Sequence, residues 1–140
     1  MKVMIVCSTA FYEKIAPIKL ELEKNGHQVI TPNCYDEPDV NDDTDNMAEE
    51  EYLNFFRKCY YDSREKVNKV DAVLVLNYSK EKGGKILSNY IGASTFLEMY
   101  EAFMNNKKIY MLNDYPNNML LDEIKGFNPT IINNDISKVQ

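Results

Sequence analysis

A chain of 140 residues with 44% hydrophobic and 27% charged residues has the size and composition of a single soluble domain, spanning residues 1–140. No apolar run is long enough to cross a bilayer, and a net charge of −6 disfavours DNA or RNA, whose binding depends on clustered lysine and arginine. The composition therefore predicts neither a membrane partner nor a nucleic-acid partner.

The three cysteines and the first residues of the chain bear on its location. Cys7, Cys34 and Cys59 are odd in number and widely spaced, which matches neither a disulfide framework nor the spacing of a zinc site. Residues 3–7 form an apolar run that is typical of a buried strand and too short for a secretory signal. The sequence therefore predicts a cytoplasmic protein without a metal site.

The first half of the chain alternates strand and helix patterns. Residues 2–7 are typical of a strand buried on both faces of a parallel sheet, and residues 12–24 have helical spacing. A second strand is predicted over 27–31, followed by a loop over 32–46 that is rich in Asn, Pro and Asp. Residues 48–70 carry the longest helical pattern, with an apolar stripe that is predicted to pack inward: Tyr52, Phe56, Cys59, Tyr60, Val67 and Val70.

The second half continues the alternation. It contains apolar strand patterns at 71–76 and 108–112, a helix pattern at 93–106 and a possible short edge strand at 129–132. Such an order predicts a three-layer α/β fold with a five-stranded parallel sheet, flavodoxin-like or Rossmann-like, in the order 2-1-3-4-5.

In a sheet of this order the ligand crevice lies beyond the carboxyl ends of the strands, at the switch point between strands one and three. The segments 7–12, 77–92 and 113–118 meet there. The chain has neither a Walker P-loop nor a Gly-x-Gly-x-x-Gly motif, so no nucleotide cofactor is predicted. Ser8 and Thr9 suit a ligand pocket and a helix cap equally well. The residues of the three segments that are predicted to contact a small molecule are Ser8, Thr9, Phe11, Asn77, Tyr78, Tyr90, Gly92 and Asn113.

Glu98 is the strongest candidate for a reactive group. It follows the glycine-containing segment Gly92 to Thr95 and lies one turn into the predicted helix, where the positive helix end favours an ionised carboxylate. An ionised carboxylate can attack an anomeric carbon, and Ser94 and Thr95 beside it can bind sugar hydroxyls or a 5′-substituent. The spacing Thr95-x-x-Glu98 also matches a capping box, which spacing alone favours.

The segment from Val70 to Leu112 resembles the nucleoside 2-deoxyribosyltransferase superfamily, which includes related nucleotide N-glycosidases. The resemblance rests on Val-Asp-Ala-Val-Leu-Val-Leu-Asn, on Gly-Ala-Ser-Thr-Phe-Leu-Glu and on Lys-Lys-Ile-Tyr-Met. It implies that Glu98 attacks the sugar and that an aspartate late in the preceding helix assists. Asp62 lies near that place, about one residue out of register. The resemblance also implies a homodimer or a higher homo-oligomer.

Together these features predict an enzyme that cleaves or transfers the N-glycosidic bond of a nucleoside or nucleoside 5′-monophosphate without a cofactor. Two other functions fit the same sequence. One is a non-catalytic module that binds a nucleotide derivative in the same crevice. The other is a flavodoxin-like interaction domain without a small ligand, which the polar loops at the switch point disfavour.

Overall fold

Parallel strands form the centre of the protein, of which a computed structural model describes residues 1–37 and 44–140. The strands in chain order are β1 (Lys2–Val6), β2 (Gln28–Ile30), β3 (Ala72–Val75), β4 (Lys80–Lys82), β5 (Lys85–Leu87), β6 (Lys108–Met111) and β7 (Thr130–Ile131). Five of them form one sheet in the order β2-β1-β3-β6-β7, and every neighbouring pair is parallel. The predicted order 2-1-3-4-5, counted over these five strands, is confirmed.

Within residues 1–37 and 44–140, four α-helices connect the strands: α1 (Ile15–Lys24), α2 (Glu49–Asn68), α3 (Ala93–Met104) and α4 (Leu121–Gly126). Short 3-10 helices cover Thr9–Lys14, Thr44–Asn46 and Ile136–Lys138. In the described part of the chain no helix is both long enough and apolar enough to cross a membrane.

Both faces of the sheet are covered, which creates three layers. Successive side chains of a strand point to opposite faces, so each buried strand contributes to two separate cores. The core on the α1 side includes Val3, Ile5, Leu74, Ile15 and Leu22. The core on the side of α2 and α3 includes Met4, Val6, Val73, Val67 and Met99. Burial on two faces explains why β1 and β3 are continuous apolar runs rather than alternating ones.

The segment between β3 and α3 forms a hairpin, where the sequence predicts a loop at the crevice. Strands β4 and β5 pair antiparallel, and Gly83 and Gly84 make the turn between them with φ values of 58° and 77°. Two consecutive residues with positive φ suit a two-residue hairpin turn, which explains the Gly-Gly pair. These two glycines therefore serve the turn.

The apolar stripe of α2 is only partly buried in the single chain. Val67 is fully buried, whereas Tyr52 and Tyr60 are 43% and 50% exposed. Helical periodicity reveals an apolar face but not the partner that covers it. The prediction that the whole stripe packs inward is therefore wrong for Tyr52 and Tyr60.

Candidate functional site

A cavity of about 760 Å³ opens between α2 and the amino end of α3, next to the carboxyl end of β1. Its volume lies within the range of small-molecule sites. The walls come from five parts of the chain: Cys7, Ser8, Thr9 and Tyr12 after β1; Asn33 and Cys34 after β2; Thr44; Phe55, Phe56, Arg57, Cys59, Tyr60, Tyr61, Ser63 and Arg64 of α2; and Tyr90, Gly92, Ala93, Ser94, Thr95, Leu97, Glu98, Tyr100 and Glu101 before and within α3.

Glu98 is the buried carboxylate of this cavity, with only 7% of its surface exposed. Burial raises its pKa to about 7, although a hydrogen bond from Ser63 and the charge of Lys66 act in the opposite direction. The sequence predicts a carboxylate kept ionised by the helix end, whereas in the structure desolvation is the larger effect and opposes ionisation. Near neutral pH the protonated and ionised forms of Glu98 are therefore both populated.

A chain of hydrogen bonds from the 3-10 helix after β1 to α2 supports the Glu98 carboxylate. The Tyr12 hydroxyl donates to the Asn33 carbonyl oxygen at 2.6 Å, and Asn33 Nδ2 donates to Ser63 Oγ at 2.9 Å. Because Ser63 accepts from Asn33, its single hydroxyl proton is available for the hydrogen bond to Glu98. Three segments distant in sequence thus orient one carboxylate.

Thr95 presents an unpaired hydroxyl to the cavity. Its residue is 2% exposed, and its Oγ1 has no hydrogen-bond partner among the described residues. A buried hydroxyl without a partner costs free energy, so a ligand atom that bonds to it would be stabilised.

The capping-box interpretation of Thr95 and Glu98 is wrong. Helix α3 has Gly92 as its N-cap, and Phe96 N donates to the Gly92 carbonyl oxygen at 3.0 Å. Thr95 is therefore the third residue of the helix and Glu98 the sixth, which removes both from the cap positions.

The structure brings together seven of the twelve residues that the sequence places in a site. They line the cavity as a group: Glu98, Ser8, Thr9, Tyr90, Gly92, Ser94 and Thr95. Ser8 also caps the following 3-10 helix, because its Oγ accepts from Ala10 N at 3.3 Å. The two functions proposed for Ser8 are therefore compatible.

Asp62 does not line this cavity. Its carboxylate pairs with Lys58 and faces a second groove formed by α2 and the residues after β2. Ser63, the next residue, faces Glu98 instead. Because successive helical residues are rotated by about 100°, an error of one position changes the groove that a side chain faces. Asp62 is therefore not retained as an acid for Glu98.

Four further predicted contacts have structural partners outside the cavity. The Phe11 ring is buried and meets the Tyr78 ring edge-on at 5.6 Å. Asn77 is fully buried, and its Nδ2 donates to the carbonyl oxygens of Asn113 and Asp114 at 3.1 and 2.9 Å. Asn113 N donates back to Asn77 Oδ1 at 2.9 Å. Asn77 and Asn113 thus join the loops after β3 and β6, Phe11 and Tyr78 pack on each other, and none of the four lines the cavity.

Sequence reasoning missed Asn33, Ser63 and the two arginines as cavity residues. Arg57 and Arg64 are the only arginines of the chain, and both line the cavity. Their separation of seven residues, about two helical turns, was a readable signal that they share one face of α2. Asn33 and Ser63 had no such signal, because their partners lie far away in sequence.

No protein-family model matches this chain, and no curated protein sequence does. A solved structure with the same fold is the CMP N-glycosidase BcmB of Clostridium botulinum. It matches with a TM-score of 0.52 and 15% sequence identity, over 94% of this chain and 85% of that chain. At this identity the likeness shows a common fold.

The raised pKa of Glu98 makes stability depend on pH. Between the ordinary value of 4.5 and about 7, the folded chain holds a proton that the unfolded chain has released, so the free energy of unfolding falls as pH rises through this window. Glu98→Gln cannot ionise. We expect its free energy of unfolding, measured by urea denaturation, to rise relative to wild type by about 3 kcal/mol between acidic and mildly alkaline pH. Glu65→Gln is the control, because the Glu65 carboxylate is exposed and pairs with Lys69. Parallel pH curves for Glu98→Gln and wild type would contradict the raised pKa of Glu98.

Proposed function

We propose that this protein breaks the N-glycosidic bond of a nucleoside or nucleoside 5′-monophosphate, with Glu98 as the nucleophile. The observation that carries the proposal is a buried carboxylate with a pKa raised to about 7, inside a cavity of nucleotide size. The fold that the chain shares with a CMP N-glycosidase agrees with this chemistry.

In the proposed reaction, the ionised Glu98 carboxylate attacks the anomeric carbon of the sugar. The carbon–nitrogen bond breaks, its electron pair leaves with the base, and the base takes a proton from solvent. Water then attacks the glycosyl ester, which releases the sugar and restores Glu98. Transfer differs only in that a second base replaces water. Ser63 and Lys66 stabilise the ionised carboxylate that this reaction needs.

Other cavity residues have roles that fit this reaction. The unpaired Thr95 hydroxyl and the neighbouring Ser94 are available to sugar hydroxyls. The rings of Tyr12 and Tyr90 provide aromatic surfaces for the base. The Cys7 thiol is a wall residue rather than a second nucleophile, because burial and the charge of Glu98 raise its pKa to about 12.

The proposal is tested by incubating the protein with a panel of ribo- and deoxyribonucleosides and their 5′-monophosphates. Free base that is released is measured by chromatography. We expect release by wild type to increase with pH through about 7, since only ionised Glu98 reacts. Glu98→Gln should lower the rate by roughly a thousandfold or more. Asp62→Asn is the matched control and should stay close to wild type, because Asp62 faces the other groove.

Three outcomes of the panel have distinct meanings. Release that survives in Glu98→Gln removes Glu98 as the nucleophile. A rise in melting temperature with a nucleotide, without any release, supports the non-catalytic binding module instead. If neither release nor binding occurs across the panel, the proposal fails.

The two arginines favour a substrate that carries a phosphate. Arg57 and Arg64 lie on one face of α2, and Arg64 Nε is 3.1 Å from Glu101 Oε1. Guanidinium groups bind phosphate in a bidentate manner, and Arg64 is already held in place by its ion pair. Glu101 also lines the cavity and offsets the charge of Arg64, so Arg57 is the main source of attraction for an anion there.

We expect Arg57→Ala to lower kcat/KM for a nucleoside 5′-monophosphate by about tenfold to a hundredfold, because a charge-assisted hydrogen bond contributes about 1.5–3 kcal/mol. The corresponding nucleoside should lose less than about threefold, since it lacks the charge. The matched control is Lys58→Ala, which removes the neighbouring cation that faces the second groove. Equal losses for nucleoside and monophosphate would show that Arg57 does not bind phosphate.

We further infer that a second copy of the chain covers the exposed apolar surface of α2 and α3. Several large side chains of this surface also line the cavity, so the partner would close the site. The surface consists of Tyr52, Leu53, Tyr60 and Tyr61 of α2 and Leu97, Tyr100, Phe103 and Met104 of α3, all at least 43% exposed. The protein would then be a homodimer or a higher homo-oligomer. The cysteine pattern favours a cytoplasmic location for it.

Met104→Glu tests the interface without touching the cavity wall. We expect sedimentation equilibrium to show a dimer or larger assembly for wild type and at least a tenfold weaker association for Met104→Glu, because a charge replaces buried apolar surface. Met119→Glu is the matched control, since Met119 is 91% exposed and lies outside α2 and α3, in the loop before α4. A monomeric wild type, or equal effects of the two variants, would contradict the interface.

A further inference from the structure

Two cysteine thiols meet at the wall of the cavity. Cys34 follows β2, Cys59 lies on α2, and both residues line the cavity as well as the second groove. Both are partly exposed free thiols, and each thiol acts on the pKa of the other. The pair therefore combines proximity with access from two openings.

The backbone around Cys34 is held against α2 by bonds that do not involve the thiols. Asn33 Nδ2 donates to the Cys59 carbonyl oxygen at 2.9 Å, and Lys66 Nζ donates to the Thr31 carbonyl oxygen at 3.1 Å. Cys34 itself has a φ of 62°, in the left-handed region that non-glycine residues rarely adopt. The surrounding structure thus fixes a cysteine in an uncommon conformation opposite a second cysteine.

We propose that Cys34 and Cys59 are a redox-active pair that a low-molecular-weight disulfide, such as oxidised glutathione, converts into an intrachain disulfide. One thiolate attacks the small disulfide, forms a mixed disulfide and expels one thiol. The second cysteine then attacks the mixed disulfide, forms the Cys34–Cys59 bond and expels the second thiol. The protein loses two electrons and two protons, and the small disulfide gains them.

The third cysteine is excluded from this pair. Cys7 is buried at the end of β1, and its pKa of about 12 leaves almost no thiolate at neutral pH. Burial also raises the pKa of Cys34 and Cys59. The reaction is therefore slow at neutral pH and accelerates in mildly alkaline buffer, where the thiolate fraction grows.

A disulfide at this position has a consequence for the site. Forming it draws the two sulfur atoms to about 2.05 Å and shifts the residues that carry them. Asn33 precedes Cys34 and hydrogen-bonds to Ser63, the residue that bonds to Glu98. Oxidation thereby changes the orientation of Glu98 through Asn33 and Ser63. An effect on catalysis rests on the proposed function, whereas formation of the disulfide is independent of it.

Peptide mapping after oxidation tests the pair directly. The full chain is incubated with oxidised glutathione at mildly alkaline pH, remaining thiols are alkylated, and the unreduced protein is digested with trypsin. We expect mass spectrometry to find peptide 25–57 joined to peptide 59–64, lighter by two hydrogen atoms than their sum, while Cys7 is alkylated in peptide 3–14. Free thiols should fall from three to one per chain.

Two variants make the result specific. Cys59→Ser should stop at one glutathione adduct on Cys34, and Cys34→Ser at one adduct on Cys59. A bridge that involves Cys7, a bridge between two chains, or persistent glutathione adducts on both cysteines of wild type would overturn the proposal. Circular dichroism of each variant verifies that it is folded.

A second measurement uses the proposed activity. If base release is established, the oxidised protein should release base at least about tenfold more slowly, since small displacements of catalytic groups are costly, and dithiothreitol should restore the rate. Absence of base release before oxidation counts against the proposed function alone, because peptide mapping reports the disulfide independently.

Discussion

Burial of the central strands on both faces is the constraint on which the rest of the structure depends. The apolar side chains of β1 and β3 are fully buried. Because water reaches neither face, the backbone N–H and C=O groups of these strands must bond to each other in the parallel sheet. Polar side chains are therefore confined to the strand ends. Cys7 and Ser8 after β1, and Asn77 after β3, lie at that edge for this reason. The cavity lies at this edge of the sheet, where residues that follow β1 and β2 meet α2 and α3.

The fold was largely predictable from the sequence because its main signals are local. Apolar runs mark the buried strands, and Gly92 marks the start of α3. The hairpin of β4 and β5 was missed because its strands are short and polar, although Gly83-Gly84 has the chemistry of its turn. The exposed stripe of α2 was misjudged for a different reason. An apolar helical face looks the same in sequence whether it meets the sheet or another copy of the chain.

The site was predictable only where its residues lie close together in sequence. The start of α3 supplies a contiguous group, and the location of Glu98 follows from it. Asn33 and Ser63 reach the same carboxylate from two other segments, and no spacing rule connects them with residue 98. Asp62 and its neighbour Ser63 face different grooves, so an error of one position in the register of α2 selects the wrong side chain. The family resemblance points to the turn of α2 that contacts Glu98, but to Asp62 instead of Ser63.

The protonation of Glu98 was misjudged because two opposing effects of different range act on it. A helix end acts over the first turn and favours an anion, whereas desolvation acts wherever water is removed, and Glu98 lies in the second turn and is almost completely buried. The hydrogen bond from Ser63 and the charge of Lys66 offset only part of the desolvation. Holding this carboxylate ionised at neutral pH costs the fold free energy that a neutral amide of the same shape would not cost. A purely structural role in α3 would be served equally by the amide. Residues that lower stability in exchange for reactivity are concentrated at active sites, and the burial and raised pKa of Glu98 are the physical basis of its proposed role.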